Sequence, residues 1–130
     1  MSASAFQFSE PKMREVTFTV NDAFIAARNE VEINTNIENR QEYADNGSEA
    51  MVQMRIEIGE KEGASPFYLS IVYQSEFRWK PDTFNKEQID TFLQKNAVLL
   101  LLSYARPAIA AITNFSKFPS YNIPYIDLTN

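Results

Sequence analysis

Hydrophobic and polar residues alternate along roughly the first 80 positions and then stop alternating. Val16, Phe18 and Val20 fall on one side of an extended chain, with Glu15, Thr17 and Thr19 on the other. The pattern returns as Val31, Ile33, Thr35 and Ile37 against Glu32, Asn34, Asn36 and Glu38. It returns again as Val52, Met54, Ile56 and Ile58 against Gln53, Arg55 and Glu57. A period of two with one polar side predicts antiparallel strands that are wet on one face. Segment 41–48, with Asn46-Gly47 inside it, predicts the turn between the second and third strands, and segment 60–66 closes a hairpin into the fourth. That fourth strand carries Phe67, Leu69, Ile71, Tyr73, Phe77 and Trp79 on one side, but also Tyr68 and Val72 on the other. Apolar residues on both sides predict a central strand.

Trp79-Lys80-Pro81-Asp82 ends the sheet, and a helix follows. Asn85 is placed as its N-cap with Gln88 as capping-box partner, and Phe84 and Ile89 are spaced as a hydrophobic staple. The helix runs to about Thr113, with a bend expected at Asn96 and a kink at Pro107, which lacks an amide donor. Ala97, Val98, Leu99, Leu100, Leu101 and Leu102 are consecutive, and at about 100° per residue they sweep more than one turn. A helix apolar on every side belongs inside something. One four-stranded sheet covers one side, so the other is expected to meet a second copy of the chain. Val98, Leu99, Leu100, Leu101, Leu102, Ala105 and Ile109 are the residues assigned to that contact. Pro119 and Pro124 predict an extended tail. The expected architecture is one α+β domain over 1–130. It holds a four-stranded antiparallel sheet (about 13–79), a long C-terminal helix packed on it (about 85–114) and a tail (115–130).

Composition removes much of the chemistry available to other proteins. The 130 residues contain no cysteine and no histidine, and only three glycines. Disulfides, thiol nucleophiles, the usual general base and the commonest metal ligands are thereby excluded, as are glycine-rich phosphate loops. A net charge of −5 argues against a nucleic-acid partner, because such binding rests on neutralising phosphates. No carboxylate pair or clustered acidic loop suggests acid–base catalysis or calcium binding. We expect no enzyme activity, no cofactor and no metal. Residues 1–10 lack the basic start and apolar stretch of a signal peptide, and segment 97–112 is broken by Arg106 and Pro107, so a cytoplasmic protein without membrane insertion is expected. Arg106, a single charge on an apolar helix, should find a carboxylate or carbonyl partner.

Two blocks of the chain resemble a known family. Asn96-Ala-Val-Leu-Leu-Leu-Leu-Ser-Tyr-Ala-Arg106 is followed by Ile109 and Ile112, then by Phe118-Pro119-x-x-Asn122-Ile123-Pro124-x-Ile126-Asp127-Leu128. Order and spacing are similar to the signature of the bacterial protein-export chaperone SecB, and the upstream run of four strands before a helix is similar too. The resemblance implies an ATP-independent holdase, a homotetramer built as a dimer of dimers, that binds unfolded polypeptide clients in apolar, aromatic-rich grooves. Phe77, Trp79, Phe115, Phe118, Tyr121, Ile123 and Tyr125 are the residues assigned to such a groove. Aromatic side chains offer large contact area at low rotamer cost. The family docks the export motor SecA through acidic positions on the outer sheet face. Glu15 fits one of these, whereas Thr19 and Ile71 stand where two others would be Glu. Glu32, Glu38 and Glu57 would share the outer face with Glu15. The sequence stops soon after Asp127-Leu128, which implies a variant without the family's second helix. An alternative within the same resemblance is a dedicated adaptor, such as one guarding an antitoxin. A small-ligand or enzymatic role in the groove is the third.

Overall fold

The computed structural model describes residues 6–21, 33–61, 65–116 and 121–123. Five strands form one antiparallel sheet: β1 (Phe6–Phe8), β2 (Lys12–Val20), β3 (Thr35–Tyr43), β4 (Glu49–Ile58) and β5 (Phe67–Trp79). A continuous helical stretch follows, consisting of α1 (Lys86–Thr91), a π-helical turn (Phe92–Asn96) and α2 (Ala97–Asn114). The architecture is α+β, with the sheet packed against one long C-terminal helix.

β5 is the axis of the sheet. One of its edges pairs with β4 along its length, and the other is shared by β2 and β1. It is buried on both faces from Phe67 to Tyr73, as its two-sided apolar pattern predicted. On the side facing the helix lie Phe67, Leu69, Ile71, Tyr73, Phe77 and Trp79, joined across the ladder by Ala50, Val52, Met54, Ile56 and Ile58 of β4. The helix supplies Leu93, Ala97, Leu101, Ala105, Ile109 and Thr113, all fully buried. These positions recur every four residues and alternate large with small, so the alanines let the helix axis approach the sheet. A strict four-residue repeat outruns the 3.6-residue turn by about 40° per step. The π turn, with its wider i→i+5 closure, takes up part of that drift between α1 and α2. The bend expected at Asn96 is therefore a π turn ending there.

Asn85 caps α1 as expected. Its side chain accepts from Gln88 N at 2.8 Å, while Gln88 Oε1 accepts from Asn85 N at 3.0 Å. Phe84 and Ile89 both pack on the core. The Asn46-Gly47 turn also forms, with Gly47 at φ 75° and Ser48 N donating to Asn46 Oδ1 at 2.9 Å. Gly59 begins the β4–β5 connection at φ 79°, where a Cβ would lie 2.2 Å from Phe67 O.

Two expectations need correction. The second strand begins at Thr35 and continues through Tyr43, so residues 41–43 belong to a strand and not to the turn; Val31 and Glu32 lie outside the described residues. Its register with β4 runs unbroken from Thr35↔Ile58 to Tyr43↔Ala50. The polar run Asn39–Glu42 hides the alternation that this ladder imposes. The sheet also has a fifth strand, the three-residue β1, which pairs Phe6 with Trp79 and Phe8 with Phe77.

Replacing Leu101 by alanine should cost about 2–5 kcal/mol, because the void forms between a helix and a sheet that cannot both collapse into it. Asn85→Ala should cost about 0.5–2 kcal/mol through the lost cap. Urea unfolding followed by circular dichroism measures both.

Candidate functional site

The residues assigned to one client groove lie in two places. Phe77 and Trp79 are at one end of β5, nearly fully buried in a ring cluster. Phe6 approaches Trp79 at 5.6 Å between centroids, Phe84 at 4.7 Å and Phe92 at 4.0 Å, the last stacked. Phe77 meets Phe92 edge-on at 6.1 Å. Tyr121 and Ile123 are at the opposite end. Tyr121 packs against Phe67 at 6.1 Å and shares a 2.9 Å hydrogen bond with Thr35 Oγ1. Ile123 is buried, and its carbonyl accepts from Arg106 Nη1 at 3.2 Å, which supplies the carbonyl partner expected for that arginine. Thr113 Oγ1 donates to Ile109 O and accepts from Tyr121 N at 2.7 Å, fastening the tail to the end of α2. Twelve residue steps of about 3.3 Å along β5 place these clusters roughly 40 Å apart. Phe115 is 86% exposed, whereas Phe118 and Tyr125 lie outside the described residues.

The helix positions assigned to a subunit contact also divide. Val98, Leu101, Leu102, Ala105 and Ile109 are consumed by the chain's own core. Leu99 is 46% exposed and with Tyr104 forms the apolar part of the face turned away from the sheet, whereas Leu100 is half-buried and packs on the margin of the core. A second apolar surface lies on β1 and β2, where α2, which packs on β4 and β5, leaves Phe8, Met13 and Val16 between 40% and 50% exposed. Sequence reasoning assigned Val16 to the apolar side of a strand, but nothing in the alternation tells how far across the sheet a helix reaches.

The outer face of the sheet is polar and tied together. Arg55 reaches over Val72, donating from Nη1 to Ser70 Oγ at 3.0 Å and pairing through Nη2 with Glu15 at 3.1 Å. Glu15 and Arg55 flank Val72 in the ladder, so the pair closes over a side chain that is almost fully buried. Tyr68 Oη donates to Glu57, while Glu38 is exposed and Glu32 lies outside the described residues. Ile71, aligned by resemblance with an outer acidic position, points to the helix side and is fully buried. Side chains alternate faces strictly, so a one-residue slip in alignment moves a position through the sheet. Along the helix, the stretch Lys86–Asn114 is long and apolar enough by composition to cross a membrane, yet its most apolar face is occupied by the sheet.

Two grooves open where β3 ends. On the helix side, Gln41, Tyr43, Trp79, Lys86, Ile89 and Asp90 line a space of about 530 Å³. Tyr43 Oη donates to Asp90 across it, linking the sheet edge to α1. The other groove, about 590 Å³, is lined by no helix residue; Gln7, Glu42, Glu49, Met51, Glu76 and Arg78 belong by register to the outer face. Three carboxylates against one guanidinium make it acidic.

No protein-family model matches the sequence, and no curated protein matches it. Among solved structures, a SecB-like chaperone from Mycobacterium tuberculosis, Rv1957, in complex with a ChAD peptide from the antitoxin HigA1, superposes with a TM-score of 0.70 at 13% identity. The match covers 95% of this chain and 91% of that one. A protein of unknown function from Streptococcus agalactiae superposes with a TM-score of 0.54 at 11% identity, covering 95% of this chain and 100% of that one. The chain therefore has the SecB-like fold that its helix and tail motifs suggested.

Partial burial, the hydrogen bond to Asp90 and the charge of that carboxylate push the Tyr43 phenol up to about 12. Burial likewise raises Tyr68, helped by Glu57, and Tyr73. An unfolded tyrosine titrates near pH 10, so above that pH the unfolded chain loses protons that the native one keeps. Stability should be fully present below about pH 10 and fall as pH rises toward 12. Urea midpoints measured from pH 9 to 11.5 should drop, and Tyr43→Phe should make the decline shallower.

Proposed function

We propose that this protein is an ATP-independent chaperone of the cytoplasm that holds non-native polypeptides on exposed apolar surface and performs no chemistry on them. The observation that carries the reading is apolar surface left open on a SecB-like fold. Phe8, Met13 and Val16 on the sheet, Leu99 and Tyr104 on α2, and Phe115 beyond it are large side chains at 38–86% exposure. A binder of non-native states acts by mass action: it lowers their free concentration and so slows aggregation.

Assembly is part of the proposal. The outer face of α2 has Leu99 and Tyr104 near its start and the small residues Ala110 and Ala111 further on, and α2 carries no acidic residue. A second copy is the economical cover for such a surface, and a dimer of dimers follows from the family resemblance. Phe77, Trp79, Tyr121 and Ile123 then serve by shaping the floor under client surfaces, because each is mostly covered within its own chain. Docking to SecA is left out of the proposal. Glu15 is engaged by Arg55, and Ile71 is turned inward.

One observation favours a narrower reading. The Mycobacterium structure carries a peptide from an antitoxin. A chain of the same fold without the motor's acidic positions suits a dedicated client, guarded until it folds, better than general export.

A general holdase should suppress aggregation of several unrelated denatured proteins at near-equimolar ratios, whereas a dedicated one should protect a single partner. Light scattering should give a multiple of 14.9 kDa, and Leu99→Asp should shift the mass toward the single chain while leaving the circular dichroism spectrum intact. A monodisperse single-chain species together with no suppression of any client would overturn the proposal.

A further inference from the structure

The turn between β3 and β4 is built around Asn46-Gly47, a dipeptide that the chaperone reading does not use. No other asparagine in the chain precedes a glycine. Asn46 is exposed, as are Ala44, Asp45 and Gly47 beside it. Space around the turn is open: a Cβ placed on Gly47 would meet nothing within 4 Å. The side-chain carbonyl carbon of an asparagine and the backbone nitrogen that follows it close an imide ring when they bond. Glycine, having no Cβ, obstructs that approach least.

Hydrogen bonds within the turn set the reacting groups. Ser48 N donates to Asn46 Oδ1 at 2.9 Å, and Ser48 Oγ donates to the same oxygen at 3.4 Å. Oδ1 is the atom on which negative charge develops when a nucleophile adds to Cγ, so both donors stabilise that charge. The ring closed by Ser48 N spans Gly47, which keeps the Asn46 side chain folded over the Gly47 amide. The nucleophile is held less firmly. Gly47 N donates to Ala44 O at 3.2 Å, at the long end of the range for such bonds and at the exposed tip of a hairpin.

We propose that Asn46 is a self-modification site, at which the chain converts itself into a more acidic form with water as the sole co-reactant. Gly47 N loses its proton to solvent and bonds to Asn46 Cγ. The bond from Cγ to the side-chain nitrogen breaks, and that nitrogen takes a proton from water and leaves as ammonia. Water then opens the imide at either carbonyl. Breaking the bond from Cγ to Gly47 N leaves aspartate; breaking the bond from the main-chain carbonyl carbon to the same nitrogen leaves isoaspartate, with the chain running through Cγ. Nothing is oxidised or reduced. Either product adds one negative charge to a turn that already holds Asp45 and precedes Glu49. Ala44 edges the outer groove and Gly47 the helix-side one, so the new charge arises at the mouth of both. The ladder is complete from Tyr43↔Ala50 inward, and Trp79 N donates to Ser48 O at 3.0 Å, so the change stays local and the fold survives it.

The test incubates the full chain at mildly alkaline pH, resolves it by isoelectric focusing and digests it with trypsin. A species of lower isoelectric point should accumulate. Its mass difference, OH in place of NH2, should map to peptide 41–55, whose sole asparagine is Asn46. Part of that species should accept a methyl group from S-adenosylmethionine through an isoaspartate carboxyl methyltransferase. Asn46→Ser should abolish the species, and Asn46→Asp should focus with it from the start. Ser48→Ala should form it severalfold more slowly, because the hydroxyl donor is gone. The circular dichroism spectrum of the converted chain should match that of the parent. Conversion of any other asparagine ahead of Asn46 overturns the proposal. So does an intact Asn46 in the native chain, whether or not the same chain in urea converts it. An unchanged rate in Ser48→Ala overturns the role given to that hydroxyl. The chaperone reading rests on other residues and is untouched by each of these results.

Discussion

The contact between one face of α2 and the paired strands β4 and β5 organises the rest of the molecule. Ala97, Leu101, Ala105 and Ile109 meet a continuous apolar surface of Val52, Met54, Ile56, Leu69 and Ile71, all excluded from solvent. Because β4 and β5 supply that surface, β5 becomes the strand every neighbour must join. β1 and β2 divide its second edge, and β3 is left at the margin. The helix has width enough for two strands only. What it does not reach, on β2 and on its own far side, is the apolar surface available to other molecules.

The sequence was most informative where burial is one-sided and the pattern long. β4 alternates without a break, and the two-sided apolarity of β5 identified it as central before any pairing was known. The cap at Asn85 was legible because its chemistry is local, confined to four residues. β1 was not, since three residues are too few to show a period. β3 starts four residues later and ends five residues later than the pattern marked, because an edge strand needs no apolar alternation and its Asn39–Glu42 stretch reads as a loop. The candidate groove was the least legible part. Aromatic residues announce burial, but only the 13-residue length of β5 separates the Trp79 cluster from the Tyr121 cluster. Six consecutive apolar helix residues likewise could not reveal which of them their own sheet would claim.

The outer face illustrates a different economy. Val72 and Tyr68 are covered there by the side chains of neighbouring strands, with the Arg55–Glu15 pair lying across one and Glu57 accepting from the other. An exposed ion pair adds little to stability. Its effect is to shield apolar area and keep that part of the face polar. The sheet thus presents two unlike sides, one shielded by its own charges and one dependent on whatever packs against it.

The π turn at Phe92–Asn96 has a consequence for kinship. A helix that accommodates one surplus residue in a local bulge keeps both flanks seated, so an ancestor or cousin lacking that residue would hold the same core with an uninterrupted helix. A gap of one position within 92–96 is therefore where such a sequence should be aligned. Without that gap, every position on one side of the bulge is compared with the wrong counterpart. In a lineage where fold outlives identity, a single misplaced indel is enough to make true relatives look unrelated.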